Sequence, residues 1–145
     1  MAVAKQKLRE VVFQMLYSRD LVPEQEEDLL AFFRKHLNLS RGSVKEAKEV
    51  VDKLIPQLKN LDEKIFSISE EYASERVSRV EKNILRLAAF ELFYTSEIPP
   101  AVVLAESIRL CRKFGTKESA KFVNAIIDTV YKRHLVKCSS TPKEA

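Results

Sequence analysis

Residues 80–94 read Val80-Glu81-Lys82-Asn83-Ile84-Leu85-Arg86-Leu87-Ala88-Ala89-Phe90-Glu91-Leu92-Phe93-Tyr94. At about 100° of turn per residue, their apolar side chains fall on nearly every side of a helix. A surface helix carries one apolar stripe, whereas a helix that is apolar almost all round is normally enclosed by neighbours. The four residues that open the stretch, Ser78-Arg79-Val80-Glu81, have the serine-then-glutamate spacing of a capping box, which marks a helix start. These residues predict a central helix with others packed around it, hence an all-α fold.

The flanking sequence supplies the surrounding helices. Downstream, Ile98-Pro99-Pro100 forces an extended turn, because a residue before proline avoids the α region. A helix follows to about Phe114, with Gly115 placed to cap it. Thr116 is placed to cap the last helix, whose buried stripe is Phe122, Val123, Ile126, Ile127, Val130 and Tyr131. Upstream, residues 3–20 form a first helix with the stripe Leu8, Val11, Val12, Met15 and Leu16. Pro23 suits the first turn of a second helix, with Leu30, Phe33 and Leu37 on its apolar face. Residues 38–42 read as a loop. Ser43-Val44-Lys45-Glu46 is a second capping-box pattern ahead of a long helical run through Val44, Ala47, Val50, Val51, Leu54, Ile55, Leu58 and Leu61, continuing to about Tyr72. Pro56 predicts a kink or break in that run. The expectation is a single-domain bundle of six to seven helices over residues 1–137, followed by a flexible polar tail over 138–145.

Composition narrows the function. The 145-residue chain is 46% hydrophobic and 32% charged, enough apolar material for a core. Its two glycines, Gly42 and Gly115, cannot build a phosphate-cradling loop or a dinucleotide fingerprint. His36 and His134 lack an HExxH partner and have no glutamate three residues earlier, so no metal site is expected and both read as surface residues near helix ends. Glu70 and Glu71 are adjacent and diverge by about 100° on a helix, so they make no acid/base pair. No serine or cysteine lies in a nucleophile motif. These absences predict a non-enzymatic protein without a cofactor. Cys111, among apolar residues, is expected in the core, and Cys138 in the tail. Two thiols in a helical chain suit a reducing, cytoplasmic setting. The longest apolar run, residues 98–105, holds two prolines and falls far short of the roughly 20 residues of a membrane span.

The net charge of +4 is compatible with a polyanionic partner. On the first helix Gln6, Arg9, Phe13 and Tyr17 share an arc of about 80°, away from the centre of the apolar stripe. Cations that neutralise phosphate beside rings that stack on unpaired bases make a single-strand RNA platform. The plainer alternative is a second packing layer that takes Phe13 into the core. Residues 109–137 carry Arg109, Arg112, Lys113, Lys117, Lys121, Lys132, Arg133 and Lys137 against only Glu118 and Asp128. That run is either a solvated face or a second phosphate-binding footprint.

Together these residues resemble the NusB transcription-antitermination family. Arg9-Glu10 through Gln14-Met15-Leu16-Tyr17-Ser18 is similar to its first-helix signature, and residues 80–92 to its central helix. Ile98-Pro99, Glu106, Lys113-Phe114-Gly115, and Lys121-Phe122-Val123-Asn124 through Asp128 are similar to the segments that follow. The resemblance implies an all-α domain that binds a boxA-type single-stranded RNA element of ribosomal RNA operons. It implies action with a small-subunit ribosomal protein that doubles as a transcription factor and, indirectly, with other antitermination factors and RNA polymerase. It assigns RNA binding to Lys5, Gln6, Lys7, Arg9, Tyr17, Lys121, Phe122 and Asn124, and contact with the protein partner to Glu81. The chain departs from the family pattern in a lysine-rich rather than arginine-rich N-terminus, in Ala125 for glycine and in Ala105 for asparagine. Lysine lacks the planar fork of arginine, so weaker RNA binding is expected. The competing expectations are a helical protein-interaction module or homodimer that ignores RNA, and a relative of the accessory domain of RNA cytosine methyltransferases.

Overall fold

A computed structural model of the protein describes residues 5–21, 41–69, 77–95 and 97–136. The regular elements among these are helical: α1 (Lys5–Leu21), α2 (Arg41–Leu54), a 3₁₀ turn (Ile55–Gln57), α3 (Leu58–Ser69), α4 (Arg79–Tyr94), α5 (Pro100–Phe114) and α6 (Lys117–Tyr131), then a wider turn over Lys132–Val136. The expected second helix after Pro23, the polar tail, Cys138, His36, Glu70 and Glu71 lie outside the described residues. The chain divides into two compact units, Met1–Gln57 and Leu58–Ala145.

In the first unit α1 packs against α2. Val44, Ala47, Val51 and Leu54 recur at helical spacing and are buried, which gives α2 one apolar face. The capping pattern at Ser43 does not mark the start of this helix. α2 already runs from Arg41, so Ser43 and Gly42 lie in its first turn rather than in a preceding loop. The break expected at Pro56 is present as the turn Ile55–Gln57, in which Pro56 is exposed and its two neighbours are half-buried. Proline offers no N–H to the helical ladder and its ring crowds the carbonyl four residues back, so the run divides into α2 and α3.

In the second unit α4 touches α3, α5 and α6. Ile84, Leu85, Leu87, Ala88, Ala89, Phe90 and Leu92 are buried, as the apolar pattern predicts, and so are the polar Asn83 and Glu91, whereas Phe93 is half-buried and Tyr94 exposed. Each fully buried leucine or isoleucine contributes about 1.5–3 kcal/mol of transfer free energy, so this helix anchors its unit. Its start is fixed by Ser78, whose Oγ accepts from the Glu81 N–H at 3.1 Å while Glu81 Oε1 accepts from the Ser78 N–H at 3.1 Å. α3 is tied to α4 by Arg86, which donates to both carboxylate oxygens of Asp62 at 2.8 and 2.9 Å. Hydrogen bonds to charged groups stabilise by about 1.5–3 kcal/mol, against about 0.3–0.5 for exposed pairs one turn apart such as Lys48–Asp52. The Arg86 fork therefore matters more than the exposed ion pairs.

The link from α5 to α6 is short. The Gly115 N–H donates to the Cys111 carbonyl at 2.7 Å. Gly115 has φ −121°, so it is not a left-handed cap. Space rather than φ favours glycine here: a Cβ would lie 3.1 Å from the Cys111 carbonyl oxygen and 3.1 Å from Ser119 Oγ. Thr116 then caps α6 by accepting from the Ser119 N–H at 3.1 Å, as its position predicts.

Candidate nucleic-acid interface

The residues assigned to RNA fall into two groups, one in each unit. On α1, Gln6 is exposed and Lys7 half-exposed, its ammonium 4.0 Å from Glu10. Lys5 opens the helix. Arg9, expected on the accessible side, is buried at 7% exposure, and Phe13 is buried at 2%. The middle of α1 is thus enclosed on more than its apolar stripe, with Arg9, Glu10, Val11, Val12 and Phe13 all buried in succession. Phe13 is a core residue, the second packing layer, and not a platform. Its ring lies 6.0 Å from that of Tyr17, which is half-buried, as tyrosine often is where one end meets water.

On α6 the arrangement is simpler. Lys117, Lys121 and Asn124 lie within an arc of about 60°, and all three are exposed. The opposite side is buried: Ser119, Ala120, Val123, Ile126, Ile127 and Val130. Phe122, half-buried, sits about 100° round from Lys121. Asp128, further along the exposed face, is engaged by Lys132 at 3.0 Å. On α5, Arg112 and Lys113 are exposed near the C-terminus, with the Lys113 ammonium 5.9 Å from the Phe114 ring centre. Arg109 is held by Glu106 through two bonds of 3.0 and 3.1 Å. The cations of α6 therefore stand on the exposed side of a helix capped by Thr116.

Glu81, assigned by resemblance to a protein partner, has both carboxylate oxygens engaged within the chain. Oε1 accepts from the Ser78 N–H, and Oε2 accepts from Ser119 Oγ at 2.7 Å. Ser119 Oγ also lies 3.1 Å from Thr116 Oγ1. The same carboxylate acts on Cys111. Burial pushes that thiol up to about 12 and the negative charge of Glu81 adds to the rise.

His134 is not the surface residue its place near a helix end suggests. It is half-buried, edge-on to Phe93 at 5.8 Å, and its Nε2 is enclosed without a hydrogen-bond partner. Burial first, then the nearby charges of Lys64 and Arg133, hold its pKa below the ordinary value. Among the described residues no group of three or more His, Cys, Asp and Glu side chains is placed to hold a metal ion. No helix among them is long and apolar enough to cross a membrane.

The model of the NusB family matches residues 6–132. The chain belongs to the NusB family. The transcription antitermination protein NusB of Geobacter sp. (strain M21) is 35% identical over 130 residues, covering 84% of this chain and 90% of that one. The protein of the same name from Chlamydia pneumoniae is 33% identical, covering 88% and 79%. Among solved structures, T. maritima NusB superposes with a TM-score of 0.76 at 29% identity, covering 92% of this chain and 94% of that one. A chain from a structure of the antitermination factors NusB and NusE in complex with dsRNA superposes with a TM-score of 0.75 at 27% identity, covering 90% and 97%.

Within this NusB-family frame, two groups were not legible in the sequence. Ser119 belongs to no sequence motif, and its bond to Glu81 joins residues 38 apart. The Arg86–Asp62 fork joins residues 24 apart, and no local pattern announces such a pair.

Proposed function

We propose that the protein is a non-enzymatic, cytoplasmic transcription antitermination factor that binds boxA-type single-stranded RNA together with a small-subunit ribosomal protein of the NusE kind. The observation that carries this reading is the face of α6. Lys117, Lys121 and Asn124 project from one side of a helix whose other side is buried, in a chain of a family with an RNA-bound structural relative. Lys117 and Lys121 neutralise phosphates. The Asn124 amide offers a donor and an acceptor to a base edge, and Phe122 borders the same face. On α1, Lys5, Gln6 and Lys7 contact the backbone and the half-buried Tyr17 stacks on an unpaired base, a contact worth about 1–3 kcal/mol, while the buried Arg9 lies behind them. No cofactor has a role in this reading.

The test is a fluorescence-anisotropy titration with boxA-type RNA, a scrambled strand and a duplex, each with and without the ribosomal protein. The expected result is preference for the boxA strand, enhanced by the ribosomal protein. Equal affinity for all three RNAs would remove the boxA reading. A stable dimer that ignores RNA, seen by light scattering, would favour a protein-interaction module.

A further inference from the structure

Three elements of the second unit meet at one hydroxyl. Ser119 is the third residue of α6, buried at 5% exposure. Its Oγ donates to Glu81 Oε2 at 2.7 Å, and Glu81 belongs to the first turn of α4. It also lies 3.1 Å from the Oγ1 of Thr116, the cap of α6. On its remaining side stands Gly115, so close that a Cβ there would lie 3.2 Å from the Ser119 Cβ. The short residues 115 and 119 let the N-terminus of α6 approach the N-terminus of α4, where one carboxylate joins both starts.

The direction of this link is what gives it a consequence. At about 100° per residue, Ser119 points nearly opposite to the arc of Lys117, Lys121 and Asn124. A charge-assisted bond on the buried side adds a directional restraint to the rotation of α6 that its buried stripe already favours. That rotation sets where the exposed cations and the amide stand. Apolar packing alone fixes rotation less sharply, because Ala120 and Val123 meet their neighbours through non-directional contacts. The O–H···O⁻ bond is short and directional.

We propose that Glu81 is a positioning residue for the RNA-binding face of α6: its carboxylate holds Ser119 and so aims Lys117, Lys121 and Asn124. This rests on the RNA-binding reading above, and it places the action of Glu81 inside the chain rather than in direct contact with a protein partner. Glutamine retains the reach of glutamate. Its amide can accept from the Ser78 N–H and donate to Ser119 Oγ, whose own proton then turns to Thr116 Oγ1. Glu81→Gln therefore keeps the link without the charge, and Glu81→Ala removes it.

The full chain is tested as wild type, Glu81→Ala, Glu81→Gln and Ser119→Ala. Amide hydrogen exchange across residues 119–124 is measured without RNA, and boxA-type RNA is then titrated with and without the ribosomal protein. Glu81→Ala and Ser119→Ala are expected to speed exchange in that segment and to raise Kd for RNA alone about fivefold, a typical value of one lost hydrogen bond. Glu81→Gln is expected to bind within about twofold of wild type, the difference of a rearranged but intact bond. Unchanged exchange and affinity in Ser119→Ala, which removes only a hydroxyl, would overturn the proposal even if Glu81→Ala does not fold. Loss of binding only in the presence of the ribosomal protein, equal in Glu81→Ala and Glu81→Gln, would also overturn it and make Glu81 a direct partner contact. If wild type shows no preference for the boxA strand, the functional reading falls and the RNA part of this proposal with it. The exchange measurement then still decides whether the link holds α6.

Discussion

Cys111 illustrates how far one side chain follows from its sequence neighbours. Leu110 and Ile108 beside it predict a core position, and the thiol is fully buried. Its elevation to about 12 comes first from burial and then from Glu81, whose proximity no spacing reveals because the two lie on different helices. At pH 8 the thiolate, the reactive form, is about one part in ten thousand of such a group. Iodoacetamide labelling at pH 8 followed by peptide mapping should therefore leave Cys111 unmodified until denaturant is added. Labelling of the native chain at the rate of a free thiol would contradict this. His134 makes the opposite case, since its sequence position suggested a solvated residue and only the fold shows the enclosed Nε2 beside Phe93. Its folded pKa lies below the ordinary value of 6.5. A base with a depressed folded pKa binds fewer protons folded than unfolded. Its contribution is fully retained above 6.5 and stability is lost as the pH falls from 6.5 towards the folded value. Melting curves between pH 7.5 and 5.5 should show a larger fall in Tm for wild type than for His134→Gln, and parallel curves would show that His134 is not responsible.

Helix starts and stops are the most legible elements, and the two misreadings among them have separate causes. Ser78 and Thr116 each cap where their spacing indicates, because the first turn of each helix offers free N–H groups to a side-chain oxygen. Ser43-x-x-Glu46 has the same spacing but lies inside α2, since a pattern of two residues cannot tell a cap from a position in the first turn. Pro56 was unambiguous because its ring forbids a continuous helix whatever surrounds it. Gly115 was placed correctly for the wrong reason. Its φ of −121° is open to any residue, so alanine would even gain about 0.4–1 kcal/mol by restricting the unfolded chain. Against this stands a Cβ 3.1 Å from a backbone carbonyl oxygen and 3.1 Å from Ser119 Oγ, and overpacking of this kind costs about 1–3 kcal/mol. The steric cost is the larger, so Gly115→Ala should lower stability by about 1 kcal/mol in urea titration. A rise in stability would mean that the α5–α6 turn relaxes freely.

At the scale of the whole chain the charge is distributed, and its distribution rather than its total bears on function. A net charge of +4 says little by itself, because Arg86, Arg109, Lys48 and Lys132 are engaged by Asp62, Glu106, Asp52 and Asp128. Sequence reading counted all basic residues of the C-terminal third alike, since the ion pairs that occupy some of them depend on helix register. Lys117 and Lys121 stand differently, exposed on the outer face of α6. For a single strand, log K falls against log salt with a slope of about −0.7 for each phosphate neutralised. Lys121→Ala should therefore make the slope for boxA-type RNA shallower by about 0.7 and weaken boxA and scrambled strands alike, because a phosphate contact carries no sequence information. Asn124→Ala should leave the slope unchanged and narrow the gap between the two strands, because an amide reads base edges. Titrations at four salt concentrations separate the two behaviours. A Lys121→Ala variant with the wild-type slope would take this residue out of the phosphate footprint, and an Asn124→Ala variant that loses slope rather than discrimination would reverse the assignment of the two roles.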